Sequence, residues 1–246
     1  MGGAAEADDV PKPVVEQLST VKRDEYQVER FVFRVSPELK LRGLLFVPNE
    51  PTGKATVYLH DDGKAAEAGA DREIARLVKA RQMVLAIDVA GCGETRMKPW
   101  RYGSMSGVLG PNSAEFYVAY MLGQSFVGLR AEQILMATQW LRAHTLGALR
   151  IDLVATGELT VPALHAAVLE PDLFDLVEVR GGLDSWQSVV DRPVTERQLI
   201  NVVHGVLRYY DLPDLRAMIP TGSLKVSDPR DAAGQPLAVN GLRLLD

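Results

Sequence analysis

Residues 149–167 read LRIDLVATGELTVPALHAA. The first part is nearly all apolar, through Leu149, Ile151, Leu153, Val154 and Ala155. Strands buried on both faces read this way, whereas a strand with one wet face alternates. Gly157 interrupts the run, and residues 161–169 then form an Ala-rich segment with helical spacing. A buried strand, a glycine turn and a helix make one half of a crossover, the connection that a parallel sheet requires.

The same unit recurs on both sides of this stretch. Residues 55–60 (ATVYLH) and 83–89 (MVLAIDV) are short apolar runs, and between them residues 71–80 carry helical periodicity through Ile74, Ala75, Leu77 and Val78. Residues 176–180 and 223–226 predict two further parallel strands. Upstream, residues 26–35 and 40–47 alternate more, with Pro37 and Glu38 between them, and predict an antiparallel hairpin with one buried face. Residues 113–144 predict two helices meeting near 123–128, and residues 92–112 read as a loop. Residues 185–218 read as a helical excursion off the sheet before its last strand. The expected class is α/β: a doubly wound, mostly parallel sheet with an N-terminal antiparallel hairpin and a helical cap. Residues 1–16 are small, acidic and Pro-bearing, which predicts a linker or flexible arm, and residues 17–246 are expected to form a single domain. No convincing element follows the DAAGQPL stretch at 231–237. In open parallel sheets ligands sit outside the carboxyl ends of the strands, so the loops to inspect follow His60, Val89, Thr156, Arg180 and Ser227.

Composition narrows the function classes. Lys and Arg number 27 against 32 Asp and Glu, a formal net charge of -5, without the basic patch of a nucleic-acid binder. No apolar run approaches the roughly 18–20 residues that span a bilayer, so neither nucleic acid nor membrane is expected as a partner. One Cys excludes an internal disulfide, and one Cys with four scattered His argues against a structural zinc site, so no metal is expected. The first residues lack a signal peptide, and Met1-Gly2 is followed by Glu6 where a myristoylation motif needs Ser or Thr. The compartment is left open. Gly91-Cys92-Gly93-Glu94-Thr95 resembles the start of a phosphate loop, but Arg96 stands where the dinucleotide pattern needs a third Gly, and no Gly-Lys-Ser/Thr occurs. No cofactor is expected.

Taken in order, YLHDDGK (58–64), LAIDVAGCGET (85–95), LVATG (153–157), VPALHAA (161–167), YDLPDL (210–215) and KVSDPRDAAGQP (225–236) resemble the α/β-hydrolase superfamily, specifically its acetyl-xylan-esterase-like branch. Similar domains look like the second halves of longer bacterial esterase-like proteins, some of them exported. The resemblance implies a fold shortened at its C-terminus.

The chemistry of that superfamily needs a nucleophile on a strained strand-to-helix elbow, a His to take its proton and an acid to orient the His. The resemblance places the elbow at Gly157-Glu158-Leu159-Thr160-Val161, with Leu159 at the nucleophile position and Val161 in place of the second Gly. Thr160 is one residue late and Glu158 one early for a substitute. Asp228 or Asp231 is in register for the acid, although Asp228-Pro229 also reads as turn chemistry. No His follows His204, which precedes the acid strand and is out of the family's order. His165 and His144 pair with no nucleophile. His60-Asp61-Asp62-Gly63 occupies the loop that in active relatives supplies oxyanion N–H groups; Asp61 and Asp62 are read first as a cap for the following helix. Cys92 reads as small-residue filler. Trp100, Tyr102, Phe116, Tyr117 and Tyr120 form an aromatic patch, part core and part groove, while Trp186, Tyr209 and Tyr210 belong to the cap.

The expected function is a non-catalytic α/β-hydrolase-like domain, a pseudoenzyme acting as structural or binding partner of an esterase domain in cis or in trans. The alternative is a carboxylic-ester hydrolase, a carbohydrate deacetylase in type, using Thr160, His204 and Asp228. A module that keeps the pocket for a small-molecule or carbohydrate ligand fits the same residues as the first reading.

Overall fold

In a computed structural model, residues 13–69, 72–97, 109–110, 112–145 and 150–237 are described. They form one eight-stranded sheet. In chain order the strands are β1 (Val14–Lys22), β2 (Tyr26–Arg34), β3 (Lys40–Pro48), β4 (Lys54–Leu59), β5 (Met83–Asp88), β6 (Arg150–Thr156), β7 (Leu176–Arg180) and β8 (Leu224–Ser227). Their spatial order is β1-β2-β3-β5-β4-β6-β7-β8. The first three strands and β5 pair antiparallel, and β5, β4, β6, β7 and β8 pair parallel. The α/β class, the mostly parallel sheet and the N-terminal hairpin are as the apolar runs predict.

The packing explains the pattern. β4 and β5 lie in the middle of the sheet, and all six β5 residues are buried. On one face Val57, Leu85 and Leu153 pack against α3 (Phe126–His144) and α4 (Thr160–Leu169), through Ile134, Ala137, Leu141 and Leu164. On the other face Tyr58, Val84, Ala86 and Val154 meet Ile74 and Val78 of α1 (Glu73–Lys79). Covering both faces is what lets these strands be apolar throughout. The Ser125 hydroxyl accepts from the Gly128 N–H at 3.2 Å and starts α3, with α2 (Ser113–Met121) just before it. The excursion contains only short helices, α5 (Gln187–Asp191) and α6 (Leu212–Met218), with single 3-10 turns between them.

β1 is a correction. Val14, Val15 and Glu16 were expected in an arm, yet they begin a nine-residue strand on β2, with an irregularity between Gln17 and Ser19. Val14, Leu18 and Val21 are all exposed, at 67, 52 and 40%. A strand wet on both faces imposes no alternation on its sequence, so periodicity cannot reveal it. Residues 1–12 lie outside the described residues.

The chain runs from β4 outward to β5, then returns to the other side of β4 to form β6. This reversal opens a crevice at the carboxyl ends of β4 and β6.

Candidate functional site

A cavity of about 580 Å³ fills that crevice. His60 and Asp61 reach it from the end of β4, Thr156 and Gly157 from β6, Arg180 from β7 and Asp228 from β8. The excursion roofs it with Glu196, Arg197 and Asn201. Among the described residues the cavity is lined by five carboxylates and three guanidinium groups, and by no Phe, Tyr or Trp.

The sharp turn from strand to helix falls at Gly157. β6 ends at Thr156, Gly157 adopts φ +55°, and a 3-10 turn over Gly157–Leu159 leads directly into α4. A left-handed φ is strained for any residue with a Cβ. This is where the fold would present a nucleophile, and the residue has no side chain. The placement of that position at Leu159 is therefore corrected by two residues. Leu159 and Val161 are both fully buried in the core under the sheet. β6 pairs as far as Thr156, so the bend falls on Gly157 and the hydrocarbons of Leu159 and Val161 go inward.

The space above Gly157 is occupied. A Cβ built there would lie 2.0 Å from Oδ2 of Asp61 and 2.7 Å from its Cγ. A carboxylate from the end of β4 thus lies against the turn. The Thr156 hydroxyl donates to Asp61 Oδ1 at 3.2 Å, and the Asp61 N–H donates back to Thr156 Oγ1 at 3.4 Å. His60 Nδ1 accepts the Asp62 N–H at 3.1 Å and lies 3.2 Å from Asp61 Oδ1. Two N–H groups of the expected oxyanion loop are therefore already bonded, Asp61 to Thr156 and Asp62 to His60, and a carboxylate stands where a side chain on residue 157 would begin. Preorganised donors stabilise an oxyanion; a fixed negative charge does the reverse. Asp61 and Asp62 do not cap a helix, which corrects that reading. The following helix starts eleven residues after Asp62, with Arg72 as its N-cap residue, too far along the chain for either carboxylate to be the cap.

Glu158 is bound elsewhere. Its Oε1 accepts from Arg130 Nη2 at 3.0 Å and from Asn112 Nδ2 at 2.9 Å. Arg130 is itself fully buried and donates from Nε to the Ala90 carbonyl at 2.8 Å. The carboxylate thus ties the turn to the loop after β5. Cys92 sits beside it, fully buried, its thiol pushed up to about 12, chiefly by burial. A thiol so protonated is inert.

The three residues of the alternative enzyme do not converge on one pocket. Thr160 is 2% exposed, donates its hydroxyl to the Gly157 carbonyl at 2.9 Å and packs on Gly182; it does not line the cavity. Asp228 does line it, at φ +50°, with Arg230 Nη2 2.7 Å from its Oδ2. His204 lines a different hollow with Phe116, Tyr120 and Phe126, its ring 6.0 Å from that of Tyr120. Asp231, the other acid expectation, is 4% exposed, ion-paired with Arg192, and takes the N–H groups of Ala233 and Gln235 at 2.9 Å each. It holds the loop after β8 in shape.

Two arginines on the cavity wall are already bonded. Arg180 grips Glu73 with both terminal nitrogens and Glu178 with Nε at 2.9 Å. Burial works to raise the Glu73 carboxyl, but hydrogen bonds from Arg180 and Tyr58 outweigh it and hold it below the usual range. Arg230 is held by Asp228 and the Gly234 carbonyl.

His144 ends α3 and stacks on Trp140, ring centroids 4.6 Å apart. Trp186 is core, and Tyr209 is exposed. Tyr117 and Tyr120 are exposed on α2, while Phe116 is buried; Trp100 and Tyr102 lie outside the described residues.

His165 is half-buried, with Nδ1 2.8 Å from the Val161 carbonyl and Nε2 3.1 Å from the Tyr210 hydroxyl. The consistent tautomer donates from Nδ1 and accepts at Nε2. Burial lowers its pKa, against a smaller opposing effect of the Val161 bond. The unfolded chain then binds a proton that the folded chain resists, so stability should fall as pH drops below about 6.5. Wild-type Tm should decrease between about pH 6.5 and 5, and His165→Gln should flatten that slope. An unchanged slope in the variant would remove His165 as its source.

No family model matches the chain, and no curated protein matches it. Solved structures do. A protein from Bacteroides fragilis assigned as an acetyl xylan esterase superposes with a TM-score of 0.71 at 15% identity, over 90% of this chain and 64% of that one. An acetyl xylan esterase from Paenibacillus sp. R4 gives 0.52 at 16%, over 80% and 62%. Acetyl xylan esterase 1 from Thermoanaerobacterium sp. JW/SL YS485 gives 0.51 at 15%, over 92% and 84%. The chain spans less than two thirds of the length of the first two. The fold is therefore that of the acetyl-xylan-esterase-like α/β hydrolases, as the sequence resemblance implied.

Proposed function

We propose that this chain is a non-catalytic α/β-hydrolase-like domain that acts as a structural or binding partner of an esterase domain. The observation that carries the reading is the Asp61 carboxylate lying over Gly157. Ester cleavage in this fold needs an attacking oxygen at the strand-to-helix turn and N–H donors facing it. Here Gly157 has no side chain, the Asp61 and Asp62 N–H groups are bonded to Thr156 and His60, and a carboxylate fills the space. The partner half is supported by α2 and the residue that follows it: Tyr117, Val118, Tyr120, Met121 and Leu122 are all exposed, with Met121 at 77%. Clustered exposed apolar side chains mark contact surfaces.

Purified protein should hydrolyse p-nitrophenyl acetate no faster than buffer, and Thr160→Ala and His204→Ala should change nothing. Turnover lost in Thr160→Ala would establish the ester hydrolase instead. An acetyl-xylan-esterase domain should co-elute with the chain on size exclusion, and Met121→Asp should weaken the complex at least tenfold. Separate elution would remove the partner half of the reading.

A further inference from the structure

We propose that the open edge of β1 pairs with β1 of a second copy of this chain, antiparallel about a two-fold axis, so that two eight-stranded sheets join into one. β1 stands at the end of the sheet, and among the described residues no strand pairs with its outer edge. Such an edge offers a row of unpaired backbone N–H and C=O groups to another chain, and sheets guard it with short strands, Pro or charges. The other edge strand, β8, has four residues. β1 has nine, without Pro and with Glu16 and Lys22 as its only charges, while Val14, Leu18 and Val21 are exposed.

The order of residues along the strand selects a second copy as the occupant. Glu16 lies near one end and Lys22 at the other. Antiparallel pairing sets the acidic end of each copy beside the basic end of its partner, whereas parallel pairing would set like charges side by side. The faces match as well. Val14 pairs with Arg34, Glu16 with Val32, Ser19 with Arg30 and Val21 with Val28, all alternate residues of β2. These four residues of β1 therefore share one face of the sheet, because successive side chains along β2 point to opposite faces. The irregularity between Gln17 and Ser19 is what brings even and odd positions of β1 to that face. With this face common to both copies, setting Val14 opposite Val21 also sets Glu16 opposite Ser19, and each pair occurs twice. Exposed β-branched side chains then cover one another, and no like charges meet. The two-fold axis falls beside the irregularity, so both strands bend at the same place. A contact that repeats itself in this way closes at two copies.

This edge is separate from α2, so the pairing does not depend on an esterase partner. A single pair of strands is a small interface, of the weak and reversible class.

Tag-free full chain is followed by sedimentation velocity from micromolar to sub-millimolar concentration, where a monomer–dimer equilibrium is expected. Val14→Lys/Val21→Lys sets like charges opposite one another and should weaken the dimer at least tenfold, as should Val14→Glu/Val21→Glu. An equimolar mixture of the two double variants should dimerise again, since each Lys then meets a Glu. Circular dichroism confirms that both variants fold. Met121→Asp, on α2, should leave the dimer unchanged. A monomer throughout the range would overturn the proposal. So would a dimer that survives Val14→Lys/Val21→Lys, that fails to return in the mixture, or that dissociates with Met121→Asp.

Discussion

Asp88→Ala should destabilise the protein by about 3–5 kcal/mol, the range for removing one partner of a buried ion pair. Asp88 ends β5 and is 1% exposed. Its Oδ1 accepts the Lys64 N–H at 2.6 Å, and its Oδ2 accepts the Lys64 ammonium at 2.6 Å and the Glu94 N–H at 3.0 Å. One carboxylate therefore fastens the loop after β4 to the loop after β5. Alanine would leave two backbone donors unmet, and Lys64, with its side chain 8% exposed, with Glu94 alone. For a chain of this size the midpoint should fall by roughly 6–20 °C. Lys64→Met in the same background should recover part of the loss, because no unpaired charge then remains in the interior. Recovery should be partial, since the two N–H groups stay unsatisfied. A single variant within about 1 kcal/mol of wild type would show that water reaches these donors and that the carboxylate does not hold the loops.

Gly157→Ala should cost about 2–6 kcal/mol. A left-handed φ in a residue bearing a Cβ contributes roughly 1–3 of this, and forcing a methyl group into filled space contributes about 1–3. Its partner in the collision is Asp61, whose side chain is 39% exposed and can be shortened with little loss. Asp61→Ala alone should cost about 1 kcal/mol, the value of one hydrogen bond to Thr156. The double variant should be more stable than the sum of the two changes by at least about 1 kcal/mol, because the overlap is gone while the dihedral cost remains. Strict additivity in denaturant titrations would mean that Asp61 does not lie over the turn, and the proposed inactivity would lose its foundation. Gly157→Ser in an Asp61→Gly background is the complementary case. It places a hydroxyl at the bend, and any esterase activity it gained would measure how much of the remaining pocket is still competent.

Most of the architecture was legible because central strands are constrained on both faces. Residues 55–60, 83–89 and 149–155 could be nothing but buried strands, and they are β4, β5 and β6 within a residue or two. β1 was illegible for the opposite reason: nothing packs on its outer side to select apolar positions. The candidate site was half legible. The loops that line it follow from strand order alone. The register of the turn did not, since a motif gives spacing along the chain and cannot say at which residue β6 stops pairing with β7. That pairing ends at Thr156 opposite Arg180, and it is what hands the bend to Gly157.

The amino-acid order alone thus determined that a parallel sheet would form, where its carboxyl edge would lie, and that no hydroxyl follows the critical strand in the expected place. It did so because burial and turn chemistry act over a few residues at a time. Only the folded chain decided that Asp61, nearly a hundred residues upstream, would lie against Gly157, that His204 would sit in another hollow, and that Arg130 would bind Glu158. Those contacts depend on how separate βα units cross and dock, and docking is fixed by packing across the whole core rather than by any segment within it.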